Sequence, residues 1–326
     1  PNQKLVFLTD SSQVRYDKLL IATGSLPVSP KIDGTDKEGV FFFHNRKDAK
    51  KVVEWGEDCK KAVVVGAGFI GIEVAIALQR RGIMVSVVEV QDRVLPEMVD
   101  KDMAEKVKKR LEENAIQVIL ESQVAEVIGN KRVKGVTLDQ GTVECEMVII
   151  SAGVSPNIEI VKETEIKTNV GIIVDKTMRA SVEDVYAAGD VAEAIDIISK
   201  ERTINPIWPN AVKEGRVAGY NLLGIEKEYE GCDRMNVIDV FGLPIVTVGH
   251  FLPDCEEIRT ENRRIALKDG RITGLSFIGE IKNAGVVLSL IRKGTEVTRM
   301  KDTILKDEFG YGKVAWTFMP SFAERV

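Results

Sequence analysis

Three glycines follow a short apolar run and precede a helical stretch, in the segment Gly66-Ala67-Gly68-Phe69-Ile70-Gly71. Such a segment can hold a diphosphate, because glycine permits a tight turn and lets phosphate approach the backbone at the positive end of a helix. The spacing alone is a weak signal, so its surroundings matter. Here Lys61–Val65 predicts a parallel strand, Ile72–Arg81 a helix ended by Gly82, and Met84–Val88 a second strand.

The second predicted strand delivers Glu89 at its end. A carboxylate at this place can accept hydrogen bonds from both hydroxyls of an adenosine ribose and would repel a 2′-phosphate. The predicted nucleotide is therefore NAD(H) in preference to NADP(H), with Arg93 close enough in sequence to argue the other way. Within the loop, Gly66 makes the turn, Gly68 admits the diphosphate and Gly71 lets the helix pack on the strand.

The chain also repeats part of itself. Residues 10–27 align with residues 139–156 in one register, and each copy contains two short strands, a polar turn and a buried strand that ends in Gly24 or Gly153. Only 23 residues precede Gly24, whereas the second copy includes its glycine loop. The repeat predicts two domains of one kind, the first of which lacks its opening strand, loop and helix. A start at Pro1 instead of Met agrees with this expectation.

Composition limits the possible functions. A chain of 326 residues with 44% hydrophobic residues predicts two or three globular domains. The net charge of -5 and the mixing of both signs disfavour nucleic acid as a partner. Apolar runs such as Ala284–Ile291 are shorter than the roughly 20 residues of a membrane span, and no signal-peptide core follows Pro1. We therefore expect a cytoplasmic protein that does not enter membranes.

Four cysteines are present, none of them in a Cys-x-x-Cys pair, and they predict buried or idle thiols and no metal site. They are Cys59, Cys145, Cys232 and Cys255.

Three further stretches carry a resemblance that covers essentially the whole chain. They are Leu20–Gly24, Asp184–Asp190, which reads Asp-Val-Tyr-Ala-Ala-Gly-Asp, and Ile207–Gly219. They resemble, respectively, the Ala-Thr-Gly crossover, the second FAD motif and the flavin-facing helix of the pyridine nucleotide-disulfide oxidoreductase family. Within that family the chain is similar to NADH oxidases, NADH-rubredoxin reductases, CoA-disulfide reductases, the flavoprotein portion of nitrite reductases and the ferredoxin reductases of oxygenase systems.

The resemblance implies an α/β fold with two nested Rossmann-like dinucleotide-binding domains and a C-terminal α+β interface domain. The implied FAD-binding domain comprises residues 1–44 and 160–230, the NAD-binding domain residues 45–159, and the interface domain residues 231–326. In the last of these, strands at 235–241 and 244–250, a hairpin at 268–271 and a helix from an Asn283 cap to Lys293 and Gly294 are predicted. By analogy this domain pairs two subunits, so a homodimer is expected.

The function implied is transfer of hydride from NADH to FAD and then of electrons to an acceptor, which is oxygen, a rubredoxin-like iron protein or a disulfide. The alternative is a non-catalytic NAD(H)-binding subunit with a redox-sensing or scaffold role. In the oxidases and CoA-disulfide reductases the redox cysteine lies in the amino-terminal segment, and none of the four cysteines here replaces it. Without that segment we expect the chain to bind NADH while holding FAD weakly.

The predicted cofactor-binding residues fall into two sets. For NAD(H) they are Gly66, Gly68, Phe69, Ile70, Gly71, Glu73, Glu89 and Gly153; for FAD they are Ala22, Thr23, Gly24, Gly189, Asp190 and Trp208. The resemblance places Glu73 near the nicotinamide and Trp208 beside the flavin, and the alternatives are a helix-surface acid and a packed indole. Asp190 is implied to accept a hydrogen bond from the ribityl chain. No acid, base or nucleophile is assigned, and His44 and His250 match no motif of the family.

Overall fold

The computed structural model describes residues 3–312 and residue 314, which form 22 strands and five α-helices. The strands are β1 Leu5–Phe7, β2 Gln13–Arg15, β3 Leu19–Ile21, β4 Ser25–Pro27, β5 Val40–Phe42, β6 Lys61–Val65, β7 Met84–Val88, β8 Ile116–Ile119, β9 Val124–Ile128, β10 Gly135–Leu138, β11 Gly141–Glu144, β12 Met147–Ile150, β13 Val154–Pro156, β14 Ile172–Ile173, β15 Val185–Ala187, β16 Ala192–Ile195, β17 Arg202–Thr203, β18 Met235–Val240, β19 Leu243–Gly249, β20 Glu256–Arg259, β21 Arg263–Lys268 and β22 Arg271–Ile278. The helices are α1 Arg46–Trp55, α2 Phe69–Gln79, α3 Lys101–Glu113, α4 Trp208–Leu222 and α5 Ala284–Arg292.

The chain forms two compact units. The first unit comprises Pro1–Leu26 and Val154–Met235, and the second comprises Pro27–Gly153 and Asn236–Val326. The ends of the predicted domains at residues 1 and 326 lie outside the described residues.

The second unit contains a parallel sheet in the order β5-β12-β6-β7-β8. Its central strand β6 is apolar throughout its interior because both of its faces are covered. Ala62 and Val64 belong to a core shared with α2 and α3, whereas Val63 packs with the antiparallel sheet β11-β10-β9. This arrangement confirms the predicted parallel strand, and β7 has the bounds that the sequence predicts.

Helix α2 differs from its prediction at both ends. It begins at Phe69, directly after Gly68, because the glycine loop itself supplies the extended residue at the N-cap. It ends at Gln79, and Gly82 follows with a φ of +82°, in the left-handed region that glycine adopts without strain. The start at Phe69 places the whole first turn of the helix beside the loop.

The second unit also contains the antiparallel sheet β18-β19-β22-β21-β20. The hairpin predicted at residues 268–271 is confirmed, since Asp269 and Gly270 have φ values of +50° and +71° between β21 and β22. Asn283 lies at the N-cap of α5 as predicted, but its side chain makes no cap hydrogen bond. Its amide donates instead to the Asp307 carbonyl at 2.8 Å.

The first unit is built around the parallel pair β3-β15, the hairpin β1-β2, the sheet β14-β16-β17 and helix α4. The internal repeat is visible in its pairing. Leu19 of β3 lies opposite the first residue of β15, and its aligned counterpart Val148 of β12 lies opposite the first residue of β5. The two copies therefore share an antiparallel hairpin that is followed by a parallel pair of strands.

No helix of the described residues is long and apolar enough to cross a bilayer.

Candidate functional site

The three glycines of the loop after β6 meet different steric demands. Gly66 has a φ of +105°, and a Cβ atom there would lie 2.5 Å from the Ser151 carbonyl oxygen. A Cβ at Gly71 would lie 2.0 Å from the Gly66 oxygen, whereas one at Gly68 would meet nothing within 4 Å. Gly66 and Gly71 thus allow close packing, and Gly68 leaves the open space that an approaching ligand needs.

The first turn of α2 faces this open space. Gly68 is its N-cap residue and has no side chain to satisfy the backbone N–H groups of Phe69 and Ile70. These N–H groups and the positive end of the helix dipole suit an anionic group such as a diphosphate. The arrangement suits the diphosphate of a dinucleotide, and its binding there stays a prediction.

Glu89 braces the glycine loop, a role that the sequence analysis did not predict. Its side chain is only 7% exposed, and its two oxygens accept from Ala67 N at 2.7 Å and from Gln91 N at 3.0 Å. A carboxylate has about four lone-pair sites, so these two bonds leave acceptor capacity for ribose hydroxyls. The separation of 22 residues between loop and acid hides this contact from local patterns.

Two further predicted residues lie in the second unit. Glu73 lies on α2, where desolvation of its carboxyl raises the pKa. Gly153 follows β12 with a φ of +98°, and its carbonyl accepts from Val28 N at 2.9 Å. Because β12 is the neighbour of β6 in the parallel sheet, the segment after β12 and the glycine loop leave the sheet at the same edge.

The predicted FAD residues lie in the first unit, at the ends of its parallel pair of strands. Ala22, Thr23 and Gly24 follow β3, and Gly189 and Asp190 follow β15. Parallel neighbours end at one edge of a sheet, so the fold brings these two stretches together.

Ser25 links the two stretches, and Glu214 of α4 contacts the second of them. No sequence pattern predicts either residue. The Ser25 hydroxyl donates to Asp190 Oδ2 at 2.7 Å, and the Glu214 carboxylate accepts from Gly189 N at 2.8 Å. The Thr23 hydroxyl donates to the Asn157 carbonyl at 2.6 Å. Asp190 is thus held by a hydrogen bond from Ser25 on one strand end, while Glu214 fixes the turn that carries it.

Trp208 is the first residue of α4 and Pro209 lies in its first turn, as predicted. The indole is 80% exposed, which contradicts the alternative of a packed indole. Aromatic surface of this size on a helix N-terminus is available to a flat ligand.

Three of the four cysteines are buried, as the sequence predicts, whereas Cys255 is partly exposed. Cys59, Cys145 and Cys232 are buried, and burial raises their thiol pKa to about 11, about 12 and about 12. A thiol with such a pKa is a poor nucleophile and metal ligand. No group of three or more metal-ligating side chains occurs among the residues that the structure describes.

Comparison with known proteins gives consistent matches. A family model described as pyridine nucleotide-disulphide oxidoreductase matches residues 1–215. The NADH oxidase of Methanocaldococcus jannaschii is 35% identical, over 82% of this chain and 65% of that protein. A CoA-dependent NAD(P)H sulfur oxidoreductase of Pyrococcus furiosus is 33% identical, over 82% and 59%.

Among solved structures, a NAD-dependent persulfide reductase from A. fulgidus superimposes with a TM-score of 0.83 at 28% identity. The superposition covers 92% of this chain and 61% of that one. The chain thus spans less than two thirds of the length of each of these three proteins.

Proposed function

The chain belongs to the pyridine nucleotide-disulphide oxidoreductase family, and from that premise we propose that it is a FAD-dependent NADH oxidoreductase. Hydride passes from NADH to FAD, and electrons then pass to an acceptor. The observation that carries the proposal is the glycine loop, in which Gly68 leaves open space at the start of α2 and Glu89 braces Ala67. A merely structural turn would not need that open space.

The residues that would hold NADH are those of the glycine loop, Glu89, and the segment after β12. The loop N–H groups and α2 bind the diphosphate, Glu89 binds the adenosine ribose, and Glu73 and Gly153 lie toward the nicotinamide half. The NADH preference rests on Glu89, since a carboxylate repels a 2′-phosphate.

The residues that would hold FAD are Ala22, Thr23, Gly24, Gly189, Asp190 and Trp208. Their fit rests on the hydrogen bond from Ser25 to Asp190, which presents the carboxylate at the end of a parallel pair of strands. When bound, the flavin supplies the capacity to accept hydride and release electrons, and the protein supplies orientation and electrostatics. The N-terminus of α4 would stabilise negative charge on the reduced ring.

The candidate acceptors are oxygen, a rubredoxin-like iron protein and a disulfide. The relative from Methanocaldococcus jannaschii is named as an NADH oxidase, and the relative from Pyrococcus furiosus is named as a sulfur oxidoreductase. Three of the four thiols are buried with raised pKa values, which disfavours an exchange of electrons through them.

The proposal also includes the domain bounds, the location and the oligomeric state that the sequence predicts. The FAD-binding domain comprises residues 1–44 and 160–230, the NAD-binding domain residues 45–159, and the interface domain residues 231–326. The protein acts in the cytoplasm, and it forms a homodimer, which sedimentation analysis would test.

The proposal is tested by titrating the chain with NADH and by mixing it with FAD and NADH without oxygen. We expect NADH to bind and the protein to accelerate loss of the visible flavin band. Gly68→Ala should fold normally but bind NADH about tenfold or more weakly, because its methyl group separates the diphosphate from its hydrogen-bond donors.

Gly285→Ala is the matched control, since it also meets open space but lies on α5. Absence of NADH binding by the wild-type chain would refute the proposal. Binding of both NADH and FAD without flavin reduction would instead favour the non-catalytic NAD(H)-binding subunit.

A further inference from the structure

Three charged side chains meet between the end of β7 and the start of α3, shortly after Glu89. They belong to Asp92, Arg93 and Lys101. Asp92 Oδ1 accepts from Arg93 Nη1 at 2.6 Å, and Asp92 Oδ2 lies 2.5 Å from Lys101 Nζ. One carboxylate therefore holds two cations. The side chains of Asp92 and Arg93 are each about one third exposed, so ligands can reach this cluster.

Arg93 is the cation most firmly held. Its Nη2 group also donates to the Pro96 carbonyl at 3.3 Å, while its Nε atom is buried without a hydrogen-bond partner. An unsatisfied buried donor is costly, so this guanidinium has a capacity for a further acceptor that its present position does not meet.

The position of the cluster connects it with the choice of nucleotide. In dinucleotide-binding folds, an acid after the second strand selects the ribose 2′-hydroxyl, and a nearby arginine accommodates a 2′-phosphate. This chain has both, since Gln91 N donates to Glu89 and the next two residues are Asp92 and Arg93. Arg93 and Lys101 are cations that could bind the 2′-phosphate of NADPH, but Asp92 pairs with both of them.

We propose that Asp92 is a specificity-determining residue, which keeps Arg93 and Lys101 from the 2′-phosphate of NADPH. The inference rests on the proposed NADH-binding function and deepens it. Asp92 acts in two ways: it occupies the donors that a phosphate would need, and its own negative charge repels the phosphate. Preference for NADH thus depends on Asp92 as well as on Glu89.

The test compares dissociation constants for NADH and NADPH in the wild-type chain and in Asp92→Asn. Asparagine has the same shape and retains one oxygen acceptor, so the segment should keep its conformation. We expect the ratio of the NADPH constant to the NADH constant to fall by about tenfold or more, the size of one charge-assisted hydrogen bond. Adding Arg93→Met to Asp92→Asn should cancel the gain.

Asp102→Asn is the matched control, because it removes one acid from the first turn of α3 and breaks a 2.7 Å pair with Arg259. An equal change of the ratio in that variant would show a general charge effect and overturn the inference. An unchanged ratio in Asp92→Asn, with NADH still bound, overturns the inference alone. Failure of the wild type to bind NADH overturns the proposed function and the inference together.

Discussion

Glu214 shows how the fold changes the chemistry of a single side chain. The residue is 4% exposed on α4, and its carboxylate accepts from Gly189 N at 2.8 Å. Burial raises the pKa of its carboxyl to about 7. The hydrogen bond from Gly189 and the influence of Tyr229 lower this pKa, but burial has the larger effect. The Tyr229 hydroxyl is near enough to influence Glu214 but makes no hydrogen bond of normal geometry. The nearby Asp190 also raises the pKa.

This shift predicts that the stability of the first unit falls as pH rises. The folded pKa of about 7 exceeds the ordinary 4.5, so between these values the folded state binds more protons than the unfolded state. The stabilisation is complete below pH 4.5 and is lost as pH rises through about 7. Its size is roughly 3 kcal/mol or less.

Glu214→Gln retains an oxygen for Gly189 and removes the titration. We expect this variant to melt at a higher temperature than the wild type at pH 8 and to lose this part of the pH dependence. Glu228→Gln, which removes an exposed acid 3.8 Å from Lys176, should behave as the wild type does. An identical pH slope in Glu214→Gln and wild type would disprove the prediction.

At the scale of elements, α1 illustrates a helix that begins where its own side chains dictate. Asn45 accepts from Lys47 N at 2.8 Å and Asp48 N at 3.2 Å, and Asp48 in turn accepts from Asn45 N at 3.0 Å. This reciprocal capping satisfies backbone donors that the first turn leaves open. It fixes the helix between β5 and β6, with Val52 buried.

Asn45→Ala should therefore lower the free energy of unfolding of the second unit by about 1 kcal/mol, because two backbone N–H groups lose their acceptor. Asn45→Asp restores an oxygen at the same place and should recover most of the loss. The measurement is thermal unfolding of both variants beside the wild type. Equal midpoints for Asn45→Ala and wild type would contradict the capping argument.

In the molecule as a whole, the C-terminal sheet, which consists of β18 to β22, shares a core with the parallel sheet and helices around the glycine loop. Ile238, Val240 and Ile245 pack in one cluster with residues of α2 and α3. Lys106 of α3 lies 2.8 Å from Glu261, which follows β20. The second unit therefore joins residues that the sequence analysis assigns to two domains, and their boundary stays a prediction.

Because the core is shared, a destabilising substitution in the C-terminal sheet should also make NADH binding more sensitive to urea. Ile245→Ala should cost about 2 to 5 kcal/mol and lower the urea concentration at which NADH binding is lost. Val237→Ala, on the adjacent strand at a 45% exposed position, should leave it within error. Loss of NADH binding at the same urea concentration in Ile245→Ala and wild type would show that the two parts unfold independently.

Short-range patterns in the amino-acid sequence predict the local features of the fold. Strand β7, the hairpin at residues 268–271 and the glycine loop follow from periodicity and turn chemistry, which act over a few neighbouring residues. The internal repeat also predicted the paired architecture of β3 and β12, because two copies of one pattern specify one kind of unit. The family followed from the same stretches.

Contacts between side chains that are distant in the sequence become visible in the folded structure. The brace from Glu89 to Ala67, the bond from Ser25 to Asp190 and the burial of Glu214 each join residues far apart in the sequence. Such contacts depend on how strands pair and helices pack, so no local pattern encodes them. The same holds for charge, since a carboxylate acquires a raised pKa or two cationic partners only when the fold sets its solvent exposure and its neighbours.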